Sequence, residues 1–191
     1  MLKLFFRGSN VIRERVTIHR ATEKEEGLTR IGSHNLLMAN SHVAHNCQLG
    51  DRITLGTGSM LGGHVRVGSF ATISESVAVV QFVTVGGYSL VGMKSKANQD
   101  VPPYMVVDGS PSEVRCVHVA GLRRNGISAE SIHALKEAHR LIYRARMGIQ
   151  QATEVLESHG RLSPEVRYLL DYIQAQQSGK GGRARERRGG G

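Results

Sequence analysis

The sequence predicts a mainly β protein with α-helical additions: a parallel β-helix built from hexapeptide repeats, followed by a C-terminal α-helical domain. Three observations predict it. Aliphatic residues recur at every sixth position, at Ile31, Leu37, Val43, Leu49, Leu55, Leu61, Val67, Ile73, Val79, Val85 and Val91. Glycine often follows them directly, as at Gly32, Gly50, Gly56, Gly62, Gly68, Gly86 and Gly92. From Ser128 onward the apolar spacing becomes that of a helix. A period of six fits neither a 3.6-residue helix nor a plainly alternating strand, and it is the signature of a parallel β-helix.

Each hexad then makes a short strand and a turn, and three hexads close a triangular coil. Residues eighteen apart in sequence stack one strand spacing apart, about 4.8 Å. The aliphatic residue points inward, and a second inward position follows four residues later, at Cys47, Ile53, Ser59, Val65, Ala71, Val77, Val83 and Ser89. Glycine is expected to serve the turn, where positive φ is cheap without a Cβ. Upstream, Ile12, Val16 and Ile18 keep the pattern, whereas MLKLFFRGSN continues it poorly. The step from Ile18 to Ile31 is thirteen residues, one more than two hexads, and ATEKEEGLTR is polar; this predicts a coil with a protruding loop near residues 20–30. The β-helix is assigned to residues 1–102.

Periodicity ends near Ala97, and DVPPYMVVDGSP carries three of the four prolines, so residues 103–127 read as an exit and link. A helical cap follows over 128–177. Ile132, Leu135, Ala138, Ile142 and Ala145 fall on one face of its first helix, with Ser128 as N-cap. A second helix is expected from Gln150 to Ser158. A third opens with Ser163 as N-cap and Pro164 in its first turn, then Val166, Leu169, Leu170 and Ile173. An apolar helix face of this kind can cover the open end of a solenoid.

Composition narrows the function. Two cysteines, Cys47 and Cys116, make no disulfide framework, and no CxxC spacing suggests structural zinc. No apolar run approaches a membrane span, and the opening residues are too short for a secretory signal, so a soluble, cytoplasmic protein is expected. The net charge is +9, but the last fourteen residues hold five basic residues and one Glu. That tail, 178–191, reads as a disordered, solvated extension with no nucleic-acid partner. The body remains basic, which favours an anionic partner.

Three of the nine histidines cluster: His42, His45 and His64. The eighteen-residue stacking puts His45 over Gly63 and Gly63 over Gln81, with His64 one coil on and one residue along. A histidine over a glycine suits acyl transfer. Neutral imidazole takes a hydroxyl proton near pH 7, and an N–H with no side chain in the way can face an oxyanion. Two other readings fit the spacing: turn histidines that only decorate the surface, and a three-histidine zinc site of a hexapeptide-repeat hydrase. No serine-hydrolase elbow, Walker loop or dinucleotide fingerprint is present.

The runs IRERVTIHR, IGSHNLLMANSHVAHNCQLGDR, GGHVRVGSFA, NQDVPPYMVVDGSPSEV and GLRRNGIS resemble the UDP-N-acetylglucosamine O-acyltransferase family, which catalyses the first step of lipid A synthesis. The resemblance runs from about Asn10 to Gln177 and begins inside the family's solenoid, so several N-terminal coils are expected to be missing. It implies a left-handed β-helix and a homotrimer with sites between subunits. It implies transfer of a 3-hydroxyacyl group from acyl carrier protein to the sugar 3-hydroxyl, with no cofactor, metal or covalent enzyme intermediate. In this resemblance His45 matches the general base and Gly63 the backbone oxyanion donor. His42 and His64 match histidines that position sugar and acyl groups, His19 one near the nucleotide, and Gln81 a ligand-contacting glutamine. Arg124 matches a phosphate-binding residue, suited to a guanidinium fork. Met93 matches the residue that measures the acyl chain, and implies a medium-length chain. Arg115, Arg123, Arg124 and Arg144 are candidates for docking an acidic carrier protein. The sequence departs from the family pattern at Val80, where a histidine is usual, at Asn46, often an acid, and at His118 and Ala120, often polar ligand-binding residues. A non-catalytic solenoid scaffold is the alternative that these departures suggest.

Overall fold

Every aliphatic residue of the six-step series from Ile31 to Val91 is buried, and so is Ala97 at the next step. The computed structural model describes residues 2–23, 27–158, 160 and 162–179. Most of the tail assigned to 178–191 therefore lies outside the described residues, as do residues 24–26 of the polar loop. Among the described residues the chain winds as a parallel β-solenoid with three sheets, one per face of the triangle. Its strands are mostly two residues long and pair in parallel at an offset of eighteen, as in His42 with Met60 and Ala78 with Lys96. The second inward row, including Cys47, Ile53, Val65 and Val83, is buried beside the first. Each fully buried Val, Leu or Ile contributes about 1.5–3 kcal/mol relative to exposure, and the rows form one continuous core.

The glycines that follow the aliphatic residues do not have the expected job. Positive φ falls two residues later, at His34, Asn40, Asn46, Arg52, Gly58, His64, Phe70, Ser76, Phe82, Tyr88 and Lys94, where only Gly58 is glycine. The aromatic side chains among them stack from coil to coil, as Phe70 does on Tyr88 at 4.6 Å between ring centroids and His64 on Phe82. The true role of the first set is close approach between coils. A Cβ on Gly56 would stand 2.5 Å from the carbonyl carbon of Ser74 and 2.7 Å from the Glu75 nitrogen, both backbone atoms that cannot step aside. Gly56→Ala is therefore expected to destabilise the solenoid by about 1–3 kcal/mol, in the range of overpacked cores, read as a lower urea midpoint. An unchanged midpoint would mean that adjacent coils can separate at no cost.

The N-terminal segment also departs from expectation. Lys3–Phe6 is a strand that pairs in parallel with Leu28–Ile31, so Phe6 occupies the aliphatic column above Ile31. The six-residue series thus runs through Phe6, Ile12 and Ile18. This first coil pairs at an offset of 25, Thr17 with His42, which is seven residues beyond the usual eighteen. The inserted residues emerge at the corner after Thr17–Ile18, directly above the corner that carries His45.

Residues 103–127 hold more structure than a link. Met105–Gly109 extends one solenoid sheet in parallel beside Leu90–Val91, and Ser112–Val117 returns antiparallel to it. Helix α1 (Val119–Arg124) follows, then α2 (Ala129–His139), a π-helical turn (Arg140–Arg144), α3 (Ile149–Ser158) and α4 (Pro164–Gln177). Ser128 and Ser163 cap α2 and α4, their hydroxyls accepting from the N–H groups of Ser131 and Val166. Ile132, Leu135 and Ala138 are buried, but Ala145 is exposed, because α2 passes into the π turn and the 3.6-residue register is lost. The helices form a second core with Met105 and Val117 of the hairpin and with Tyr104 just before it. From α4 the Tyr172 hydroxyl donates to the Thr84 carbonyl at 2.8 Å, fixing the cap to the solenoid. No helix among the described residues is long and apolar enough to cross a membrane.

Candidate active site

His45 lies in the turn after the strand His42–Val43, and Gly63 in the turn after Met60–Leu61, one coil on. Because those strands pair residue for residue, the two turns stack. A Cβ on Gly63 would stand 2.7 Å from His45 Cε1 and 2.9 Å from Nε2, so the imidazole fills the space a side chain would need. His64 donates its N–H to the His45 carbonyl at 3.0 Å, and the two rings meet edge to face at 5.2 Å. Buried His64 stacks in turn on Phe82, with centroids 4.4 Å apart and planes 4° from parallel. On the other ring nitrogen, His45 Nδ1 lies 3.0 Å from Asn46 Oδ1.

The second pair lies on the preceding strand and the coil above it. His19 and His42 meet edge to face at 4.8 Å, and Thr17 Oγ1 lies 2.7 Å from His42 Nδ1. Burial first, and then the nearby His19 charge, hold His42 below the ordinary imidazole range. His139 shifts the same way, through burial and the Arg144 charge, against a smaller upward push from the Arg115 backbone. Both groups bind a proton more readily in the unfolded chain than in the fold. Their stabilising effect is complete above the ordinary histidine value of about 6.5 and is lost as pH falls from there through the lower values these groups have in the fold. The melting temperature is expected to be flat from pH 8 to 7 (about one unit on the basic side) and to fall towards pH 5. A melting temperature that rises on acidification would contradict this sign.

The remaining candidates are more dispersed. Gln81 continues the column of His45 and Gly63, with an exposed side chain. Met93 is 59% exposed and follows the strand Leu90–Val91, so it stands on a different corner of the triangle from His45. Arg124 is exposed at the C-terminal end of α1. Val80 is half-buried against the solenoid core. His118 is buried and its Nδ1 lies 3.0 Å from the Tyr88 carbonyl oxygen, while Ala120 is exposed. Among the described residues no group of three or more His, Cys, Asp or Glu side chains is arranged to hold a metal ion.

Three residues of the site escaped the sequence reading. Phe82 was within reach, since it lies eighteen residues beyond His64. Thr17 and Thr22 were not, because the insertion shifts their coil to an offset of 25. Thr22 donates from both its backbone N–H and its hydroxyl to Asn46 Oδ1, at 2.8 and 2.9 Å.

The chain is similar to known proteins along nearly its whole length. A family model described as UDP-N-acetylglucosamine O-acyltransferase, domain 2, matches residues 100–182, and one for bacterial transferase hexapeptide repeats matches 28–63. An acyl-[acyl-carrier-protein]–UDP-N-acetylglucosamine O-acyltransferase of Synechocystis sp. is 45% identical over 92% of this chain and 63% of its own length. The enzyme of the same name from Stutzerimonas stutzeri is 39% identical over 93% of this chain and 69% of its own. The chain thus spans less than two thirds of the length of some of these curated relatives. Among solved structures, a UDP-N-acetylglucosamine acyltransferase from Bacteroides fragilis superposes with a TM-score of 0.85 at 34% identity, over 90% of this chain and 67% of that one. The Arabidopsis protein of the same description gives 0.82 at 32% identity, over 91% and 62%.

Proposed function

The chain belongs to the UDP-N-acetylglucosamine O-acyltransferase family, and from this we propose that it transfers a 3-hydroxyacyl group from acyl carrier protein to the 3-hydroxyl of UDP-N-acetylglucosamine, the first step of lipid A biosynthesis. The observation that carries this reading is the imidazole of His45 seated on Gly63, with Nδ1 held by Asn46. His45 Nε2 takes the proton of the sugar hydroxyl as its oxygen attacks the thioester carbonyl. The Gly63 N–H donates to the oxyanion of the tetrahedral intermediate. Collapse of the intermediate breaks the C–S bond, and the departing thiolate receives the proton from His45. No covalent enzyme intermediate and no cofactor take part.

His42 and His64 position the sugar and acyl groups in this reading, His19 stands near the nucleotide, Gln81 contacts the ligand, and Arg124 meets the nucleotide phosphate. Met93 limits the acyl chain. Because it stands on a different corner from His45, the reading is best served by a homotrimer in which neighbouring copies complete each site, and its substrates put the reaction in the cytoplasm. The basic surface with Arg115, Arg123, Arg124 and Arg144 suits an acidic carrier protein.

The test is to incubate the protein with UDP-N-acetylglucosamine and a series of 3-hydroxyacyl carrier-protein thioesters, and to detect O-acylated sugar nucleotide by mass spectrometry. Product with a medium-chain optimum is expected. No product from a folded protein would leave a scaffold in place of an enzyme. Met93→Gly is expected to move the optimum to longer donors, raising the rate with the longest by about tenfold or more, the discrimination that one excluded methylene provides. An unmoved optimum would remove Met93 from chain-length control.

A further inference from the structure

A histidine that acts as a base through Nε2 must carry its proton on Nδ1. Free imidazole side chains in water prefer the other tautomer, so the fold has to set it. A carboxylate beside Nδ1 does this from either oxygen, whichever way it is turned. Asn46 has only one acceptor. With its amide turned over, Nδ2 would face His45 Nδ1, make that nitrogen an acceptor and leave the proton on Nε2, where it blocks base catalysis.

We propose that Thr22, in the seven-residue insertion, is the positioning residue that fixes the Asn46 amide and thereby the tautomer of His45. Its backbone engages the amide at both ends: the N–H donates to Oδ1 at 2.8 Å, and the carbonyl accepts from Nδ2 at 3.4 Å. A main-chain N–H can only donate and a main-chain carbonyl can only accept, so this pairing has one polarity. The Thr22 hydroxyl adds a second donor to Oδ1 at 2.9 Å. Oδ1 has no hydrogen, so the 3.0 Å contact with His45 Nδ1 requires the proton on Nδ1 and leaves Nε2 free. Asn46 is itself held in place, since its N–H donates to the buried Thr29 hydroxyl at 2.9 Å, and asparagine tolerates its φ of +60° well. The insertion shifts the whole first coil to an offset of 25, but its residues emerge at the corner above His45, and these contacts are what it delivers there.

This inference rests on the reading of His45 as the base, and the experiment separates the two. Nitrogen-15 labelling of histidine and long-range proton–nitrogen correlation report the His45 tautomer of the full chain without substrate. The wild-type protein at pH 8, about 1.5 units above the ordinary imidazole value, is expected to show Nδ1–H. Thr22→Pro removes the N–H that orients the amide. It is expected to populate the Nε2–H form and to lower kcat by about 10- to 100-fold, the scale of a misplaced catalytic group, with little change in KM for the sugar nucleotide. Thr22→Ser keeps both donors and is expected to retain tautomer and rate. An Nε2–H tautomer in the wild-type protein would overturn the proposal even if Thr22→Pro failed to fold. So would an unchanged tautomer and rate in a folded Thr22→Pro protein. A changed tautomer with unchanged kcat would also overturn a role for Thr22 in the reaction, and would place the error in His45 as base.

Discussion

Replacing His45 with alanine (His45→Ala) is expected to lower turnover by about 10² to 10⁴ while leaving the melting temperature close to that of the unaltered protein. The ring sits half-buried on an outer corner of the solenoid, away from the inward rows, so its removal opens no cavity in the core. The turn keeps its other supports: the His64 N–H still donates to the carbonyl of residue 45, and Asn46 still receives both donors of Thr22. What disappears is the proton acceptor at Nε2. The loss should therefore fall on kcat, with KM for the sugar nucleotide little changed, since an interaction made in the transition state is the one removed. Steady-state kinetics on the variant would show this, and a retained full rate would take His45 out of the chemistry.

Gly63→Ala is expected to cost about 10² in kcat through a different route. The added methyl would stand 2.7 Å from Cε1 and 2.9 Å from Nε2 of His45, so the ring must move by roughly an ångström and lose its geometry against Asn46. The Gly63 N–H remains as oxyanion donor. If displacement of the base is the whole effect, the double variant with His45→Ala should be no slower than His45→Ala alone. Losses that multiply instead would show that the methyl also spoils the oxyanion position. Gly63 lies on the outer corner against a side chain, whereas Gly56 lies against backbone. Stability should thus fall for Gly56→Ala and activity for Gly63→Ala, a separation that unfolding and kinetic measurements on the same two proteins can read.

Much of this arrangement was legible because a solenoid turns sequence distance into spatial distance. Adding eighteen to a residue number identifies its neighbour one coil on, which brought His45 over Gly63 and His64 beside both. The same addition would have found Phe82 beneath His64, where the rings stack. Legibility failed where the period failed. The insertion after Ile18 moves the first coil to an offset of 25, which hid the contact of Thr17 with His42 and of Thr22 with Asn46. It failed also where one residue type has two physical uses. Glycine beside the aliphatic column answers to contact between coils, while the positive φ of the turn is borne by Asn46, His64, Phe82 and their equivalents. Ala145 misled for a third reason: a helical apolar series gives no sign of the π turn that ends its register.

By itself the sequence determined the β-helix, its coil length and its buried rows, because a repeat of aliphatic residues at a period of six has one economical way to bury them. It also determined the histidine-over-glycine stack, because strand pairing at eighteen residues allows no other neighbour. Only the tertiary structure decided which amide polarity faces His45, which glycines mark coil contacts, and where the inserted residues of the first coil come to rest. Those depend on hydrogen bonds and close packing between segments whose spacing obeys no period, and such contacts exist only once the coils have stacked.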